Sequence, residues 1–302
     1  MMWSVVIPTY NRLPILQKCL RAMEAQQFDQ PYELVVIDDG STDGTVDFLQ
    51  RHREEFPHVR LLQQNHEGAA IARNTGIDAA QGEIIVFIDS DLVVTEVFLA
   101  AHARVLAQDP CAFTYGRVIN TCNFDAPTSE PFKLTDFSAA YFATGNVAIP
   151  KEWLLKAGKF DPAFRQYGWE DLELGVRLKR LGLKLLPCPE AVGYHWHPPF
   201  GLEQLPRLID VEQQRARMGI VFYEKHPTWD VRMMIQMTWI HVVLWNVLAL
   251  GGLLNENTLK PLLQWLIKQG RPQLALEVAR IFLNLYNVRA VYAAYRQWQV
   301  AD

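Results

Sequence analysis

The sequence predicts an α/β fold: an open, mostly parallel sheet that binds its ligand at the strand ends, followed by a helical C-terminal region. Three observations predict it. The first ninety residues alternate short Val- and Ile-rich runs with stretches of helical apolar spacing. The polar motifs of that segment fall directly after apolar runs. From about residue 203 the spacing turns helical and stays so.

The apolar runs are Trp3–Ile7, Leu34–Ile37, Val59–Leu62 and Ile84–Ile88. They are nearly continuous rather than alternating, which suits strands covered on both faces. Leu13–Ala25, Asp43–Arg53 and Gly68–Ala80 lie between them and read as helices. Strand–helix–strand alternation folds into a parallel sheet with right-handed crossovers. Ligands bind such sheets outside the carboxyl ends of the strands. The loops after Ile7, Ile37 and Ile88 are therefore where function is expected. Residues 120–138 break the pattern with polar and Pro residues and read as a loop or closing lid. A strand at Asn146–Ile149 and a helix from about Pro150 follow. Glu170–Leu181 reads as a helix, with acids in its first turn, bases in its last and Gly182 just beyond. Lys184–Pro187 reads as a further strand. The expected division is a catalytic domain over 1–228, with a donor half of about 1–92 and an acceptor half of about 93–200, and a helical region over 229–302.

The 302 residues are half hydrophobic and carry a net charge of −4. That balance excludes the basic footprint of a nucleic-acid binder. Cys19, Cys111, Cys122 and Cys188 form no CxxC pair. They read as reduced, mostly buried thiols of a cytoplasmic protein. The N-terminal run is too short, and has too little positive charge before it, for a signal peptide. Met233–Asn255 has no Asp, Glu, Lys or Arg over a bilayer-spanning length. Gln236, Thr238, His241 and Asn246 lie inside it and Gly251-Gly252 interrupts it. It reads as a buried or membrane-surface helix rather than a span.

Asp89-Ser90-Asp91 follows the strand Ile84–Ile88. In extended backbone residues i and i+2 point the same way, so both carboxylates can face one site. Mg²⁺ and Mn²⁺ take such hard oxygen ligands and share them with phosphates. A polar turn is the competing reading. Asp38-Asp39-Gly40-Ser41-Thr42-Asp43-Gly44 follows Leu34–Ile37. Its carboxylates can accept hydrogen bonds from a base or a ribose, or it is a turn with Asp43 capping the next helix.

Taken together, Val5-Val6-Ile7-Pro8-Thr9-Tyr10-Asn11-Arg12, Asp38–Gly44, Gly68 with Ala72-Arg73-Asn74, and Asp89-Ser90-Asp91 stand in the order and spacing of family 2 glycosyltransferases. The chain resembles that family closely over about residues 3–100. The resemblance implies the GT-A fold, a Rossmann-like nucleotide-binding open sheet. It implies that Thr9 and Asp39 sit against the nucleobase, with Pro8 and Tyr10 beside them, and that Arg73 contacts the nucleotide. Asp89 would help hold ribose and metal, and Asp91 would be a direct metal ligand. Further on, Thr144-Gly145-Asn146 and Gly168-Trp169-Glu170-Asp171-Leu172-Glu173 look like the acceptor region of galactosyltransferase-type members. There the Asp of the Glu-Asp pair is the catalytic base, which maps onto Asp171 with Glu170 beside it. Trp169 would offer an apolar face to a sugar ring. Helix capping alone is the competing reading of these acids. In Gly193-Tyr194-His195-Trp196-His197-Pro198-Pro199, His195 matches the family's metal-binding position, with His197 as the alternative. An imidazole ligand tilts preference from Mg²⁺ towards Mn²⁺.

The resulting expectation is a metal-dependent, inverting glycosyltransferase. It would move a hexose from a nucleotide diphosphate donor, UDP-linked by the resemblance, to a hydroxyl of a glycan or lipid-linked acceptor. Peripheral contact with the inner membrane face through the C-terminal helices belongs to the same expectation. Two alternatives stand beside it. One is a sugar-phosphate nucleotidyltransferase, which would want a Gly-rich loop where Pro8–Arg12 stands. The other is a non-catalytic sugar-binding protein on the same fold, which would have lost an acid or a ligand.

Overall fold

The computed structural model describes residues 1–133, 136 and 140–301, and the chain forms two compact units. One comprises Met1–Pro162 with Glu170–Pro198; the other comprises Ala163–Trp169 with Pro199–Asp302.

The first unit is a mixed eight-stranded sheet. Its strands are β1 (Trp3–Thr9), β2 (Tyr32–Asp38), β3 (Val59–Gln63), β4 (Ile84–Ile88), β5 (Leu92–Val94), β6 (Ala112–Thr121), β7 (Asn146–Pro150) and β8 (Lys184–Trp196). Its helices are α1 (Leu13–Glu24), α2 (Thr45–Arg51), α3 (Ala69–Ala79), α4 (Phe98–Leu106), α5 (Lys151–Ala157) and α6 (Glu170–Arg180). The strand order is β3-β2-β1-β4-β7-β6-β8-β5. The four strands read from the first ninety residues are present and parallel. Beyond them the sheet is mixed: β7 is antiparallel to both β4 and β6, β8 runs parallel to β6, and β5 runs antiparallel to β8.

The continuous apolar runs divide between two cores because side chains alternate across a strand. Trp3, Val5, Ile7, Leu34 and Val36 face Leu16, Leu20 and Met23 of α1 and Phe98 and Leu99 of α4. Val6, Val35 and Ile37 face Ala70, Ala72 and Ile77 of α3 and join Phe142, Phe160, Leu174 and Leu178. Helix α3 lies so close to the sheet that a Cβ on Gly76 would meet Val6 Cγ1 at 2.4 Å and Ile37 Cδ1 at 2.8 Å. That approach fixes the position of Arg73 one turn earlier on the same helix.

The strand expected at Lys184–Pro187 continues to Trp196, across a register shift against β6 at Gly116/Arg117. Neither Pro187 nor Pro189 stops it: the ladder shifts register before Arg117 pairs with Val192. Of the expected 120–138 loop, Asn120 and Thr121 belong to β6 and Pro127–Ser129 form a 3-10 turn. Residues 134, 135 and 137–139 lie outside the described residues. Cys19 and Cys188 are buried, whereas Cys111 is exposed and Cys122 half-buried.

The second unit contains α7 (Leu205–Lys225), α8 (Trp229–Met234), α9 (Trp239–Leu248), α10 (Lys260–Lys268) and α11 (Pro272–Ala301). Leu205, Leu259, Leu263, Leu266, Ala275, Ala279 and Phe282 form its core. The uncharged stretch over 233–255 is not one helix. Taken as one segment, Trp229–Leu248 is apolar and long enough to cross a membrane. It breaks, however, between α8 and α9, where Gln236 has φ 59°, and again at Leu250 and Gly251, with φ 48° and 71°. No residue of α9 is fully buried, so a buried core helix is ruled out.

Candidate active site

Strands β1, β2, β4 and β8 point the same way through the ladders between them. Their carboxyl ends lie on one edge and deliver Thr9, Asp38, Asp89 and His195 there. A ligand of an open α/β sheet binds at that edge.

Asp89 and Asp91 take different partners. Asp89 Oδ1 accepts a hydrogen bond from Arg73 Nη2 at 3.2 Å. Asp91 Oδ1 lies 2.8 Å from His195 Nε2, and its Oδ2 lies 3.6 Å from Arg12 Nη1. The sheet explains the second pairing. Leu92 stands opposite His195 in the β5–β8 ladder, and the Trp196 amide donates to the Asp91 carbonyl at 2.9 Å. His197 adds a second imidazole, its ring centroid 4.2 Å from that of His195, with Nε2 3.2 Å from Asn120 Oδ1. Asp91, His195 and His197 hold their ligand atoms within 4.8 Å of one another. One carboxylate oxygen and two imidazole nitrogens suit Mn²⁺ or another first-row cation better than Mg²⁺. The two histidines, read from the sequence as alternatives, stand together; Asp89, read as a third ligand, is held by Arg73.

Charge and burial compete at this cluster. Burial pushes the Asp91 carboxyl up. The His195 hydrogen bond and the charges of His195, Arg12 and His197 outweigh it and hold Asp91 below the usual carboxylate range. Burial pushes His195 down, and its bond to Asp91 with the charges of Asp91 and Asp89 lifts it above the ordinary imidazole value.

Arg73 is the hub of the neighbouring acids. It is buried, and its Nη1 donates to Glu170 Oε1 at 2.9 Å while Nη2 serves Asp89. Glu170 thereby anchors the guanidinium. Asp171, next on α6, accepts from the Leu172 amide at 2.7 Å. Burial first, and then the Glu170 charge, push Asp171 up to about 7 against the pull of Arg73. A carboxyl raised towards neutrality lies in the range in which a general base works.

Asp39 is already engaged. Its Oδ1 accepts from Gln64 Nε2 at 2.7 Å and the Glu67 amide at 3.0 Å; its Oδ2 accepts from the Gly68 amide at 3.0 Å and lies 2.8 Å from His66 Nδ1. His66 also stacks on Tyr10, the ring centroids 4.0 Å apart and 18° from parallel. Beside them, Thr9 Oγ1 and Asp38 Oδ1 are buried with no hydrogen-bond partner among the described residues. Pro8 precedes Thr9 at the end of β1. Orphaned buried polar atoms at a strand edge are a place where a bound ligand completes the bonding.

Trp169 does not present a free indole. It is 8% exposed, its Nε1 donates to the Arg215 carbonyl at 2.7 Å, and the Arg215 guanidinium lies over its ring. Arg215 and Phe222 of α7 claim the aromatic surface that the sequence reading assigned to a sugar.

Two residues join the site that the sequence reading passed over as site residues, Arg12 and His66. Arg12 lies in the loop after β1, already named as functional. His66 lies in the loop after β3, a fourth strand end to which the same rule applies.

Known proteins share sequence and fold with this chain. The model described as glycosyl transferase family 2 matches residues 4–157. The one described as the N-terminal domain of galactosyltransferase matches residues 127–198. A chondroitin synthase of Pasteurella multocida is 27% identical over 239 residues, covering 65% of this chain and 25% of the synthase. This chain therefore spans about a quarter of that relative's length. The mannosyltransferase PcManGT from Pyrobaculum calidifontis, solved with GDP-Man and Mn²⁺, superposes with a TM-score of 0.63 at 22% identity, over 96% of this chain and 86% of that one. GalNAc-T7, solved with UDP, GalNAc and Mn²⁺, gives 0.55 at 19% identity, over 71% of this chain and 47% of that one. The fold they share is GT-A.

Proposed function

Since this chain belongs to glycosyl transferase family 2 and has its GT-A fold, we propose that it is an inverting, Mn²⁺-assisted hexosyltransferase that uses a UDP-linked donor and a hydroxyl acceptor. The observation that carries this reading is the grouping at one sheet edge of Asp91, His195 and His197 with the Arg73–Asp89–Glu170 cluster and the elevated Asp171. PcManGT and GalNAc-T7 were each solved with a nucleotide and Mn²⁺, which supports the same class of donor here.

The roles follow from the chemistry of each group. Asp91 and His195, joined by His197, would hold the cation. When bound, the cation neutralises negative charge on the donor diphosphate and on the leaving group. Thr9, Tyr10 and Asp39 would receive the nucleobase, with Pro8 shaping the floor. Asp89 would meet the ribose while Arg73 holds it in place. Asp171 accepts the acceptor hydroxyl's proton as that oxygen bonds the anomeric carbon; the bond from that carbon to the phosphate oxygen breaks, and the nucleoside diphosphate leaves. Attack opposite the leaving group inverts the anomeric centre. Arg73 and Glu170 fix Asp171's surroundings, since the Glu170 charge helps keep its affinity for a proton high.

The acceptor class is a glycan or lipid-linked hydroxyl. The test is transfer from a panel of UDP- and GDP-hexoses to glycan and polyprenyl-linked acceptors, with Mn²⁺, with Mg²⁺, and in excess chelator. The proposal expects turnover with a UDP-hexose, best in Mn²⁺ and lost on chelation. Full activity in chelator, or preference for a GDP donor, contradicts it.

A further inference from the structure

Helix α9 carries a face with no polar side chain on it. Trp239, Ile240, Val243, Leu244, Val247 and Leu248 repeat every four residues along that face, and all are exposed. Leu250 and Leu253 continue it past the helix end. Trp239 is 68% exposed and Leu253 71%. Scattered surface leucines need no explanation, but a continuous apolar stripe of this kind marks an interaction surface.

The polar groups of the same segment are turned back onto the protein. Thr238 Oγ1 and His241 Nδ1 pair at 2.7 Å. Gln236 Oε1 accepts from Trp245 Nε1 at 2.8 Å, and Asn246 Nδ2 donates to the Val242 carbonyl at 2.8 Å. The four side chains that would be costly in hydrocarbon are thus satisfied, and the outer face is left apolar. The ten residues of α9 span about 15 Å at 1.5 Å per residue, about half of a bilayer core. The breaks at Gln236 and Leu250–Gly251 stop it from being lengthened. Such a helix cannot cross, but it can lie in the headgroup layer with its apolar face down.

Charge selects the occupant. Residues 229–302 hold seven basic and four acidic side chains, whereas residues 1–228 hold 22 basic and 29 acidic. This exposed apolar stripe therefore lies in the net-positive part of a chain whose net charge is −4. Exposed Arg289 stands at the end of the stripe, donating from Nη2 to the Gly251 carbonyl at 3.0 Å. Exposed Lys260, Lys268 and Arg271 flank exposed Leu262 and Trp265 along α10 and just beyond it. Trp beside Lys and Arg is the composition of a bilayer interface, and basic side chains near an anionic surface add roughly 1 kcal/mol each. A second copy of the chain would bring like charges together around the same stripe.

We infer that α9 and its flanking basic residues form a docking surface for an anionic lipid bilayer, on which the protein rests peripherally. The inference is independent of the catalytic assignment. The 302-residue protein is sedimented with phosphatidylcholine vesicles and with vesicles carrying about a third phosphatidylglycerol, and its oligomeric state is measured by light scattering. The expected result is binding to the anionic vesicles, at least tenfold weaker on the neutral ones and weakened by 0.5 M salt. Val243→Asp with Val247→Asp should abolish it, and Trp239→Ala, at a site with little packing to lose, should reduce it severalfold with an unchanged melting temperature. Absence of vesicle binding, binding that ignores both variants, or self-association through this face without vesicle binding overturns the inference.

Discussion

Asp91 and His195 are in direct contact, 2.8 Å between Oδ1 and Nε2, and each shifts the other's proton affinity. The carboxylate is held below its ordinary range and the imidazole above its own. Without a cation, a proton on His195 completes this pair. A cation that uses His195 must displace that proton, because only neutral imidazole is a ligand.

Metal binding should therefore release protons and weaken as pH falls. At mildly acidic pH, titration calorimetry of Mn²⁺ in buffers of different ionisation enthalpy should report net release of protons on binding. A binding enthalpy that does not depend on the buffer would contradict this. Asp91→Ala should abolish cation binding and turnover while leaving the fold intact.

Asp39 should matter for stability as well as for nucleotide binding. Four donors converge on its two oxygens, two of them backbone amides of the loop before α3. Asp39→Ala leaves those amides without an acceptor, at a cost of about 1–3 kcal/mol. His66→Ala removes an exposed donor and its stacking on Tyr10, and should cost less, about 0.5–1 kcal/mol. Urea denaturation of the two variants distinguishes them; equal stabilities would show that Asp39 does not organise the loop.

Asn146 should control the strand that carries His195. Its Nδ2 donates to the carbonyls of Arg117 and Ala191, at 3.0 and 2.9 Å, on the two strands of the β6–β8 register shift. Its Oδ1 must then accept from His102 Nε2 at 2.9 Å, which leaves His102 Nδ1 to accept from Thr114 Oγ1 at 2.7 Å. His102 stays neutral, its value pushed down to about 4 by burial. Asn146→Ala strands several buried groups at once and should cost about 2–4 kcal/mol. It should also weaken Mn²⁺ binding by shifting β8. A stable variant with unchanged Mn²⁺ affinity would contradict both parts.

Much of this was legible in the sequence, for identifiable reasons. β1 to β4 announced themselves because strands buried on both faces need unbroken Val and Ile. Asp91, His195 and Asp171 were singled out through the family resemblance of the motifs that carry them, and the structure brings Asp91 and His195 together. What escaped depends on long-range pairing. That Asp91 meets both histidines follows from Leu92 standing opposite His195 across a hundred residues of chain, which no local pattern encodes. Asp89 turned to Arg73 because α3 packs tightly over Gly76. Trp169 looked like a sugar platform because a Trp beside two acids carries no local sign that Arg215 and Phe222 bury it. The stretch at 233–255 read as one helix because the left-handed turn at Gln236 falls on a residue that does not advertise one.

The elevated proton affinity of Asp171 has two measurable consequences. kcat/KM should rise with pH on an acid limb near 7, since the base must be ionised in the free enzyme. The native protein also keeps a proton there that the unfolded chain releases near pH 4, so this group costs stability increasingly as pH rises from about 4 to about 7. Asp171→Asn removes that cost and should stabilise the protein by about 1–3 kcal/mol at pH 8. No stabilisation, or an acid limb at the ordinary carboxylate value, would place the titrating base elsewhere.

The most direct test of the central claim is the single-turnover transfer rate of Asp171→Asn under saturating donor, acceptor and Mn²⁺, with UDP affinity measured alongside. Asn is nearly isosteric and keeps an oxygen for the Leu172 amide, so UDP should bind within a fewfold of the parent. The rate should fall by about 10²–10⁴, the range for a positioned general base. A transfer rate near that of the parent would show that Asp171 only caps its helix and that the proposed chemistry is wrong.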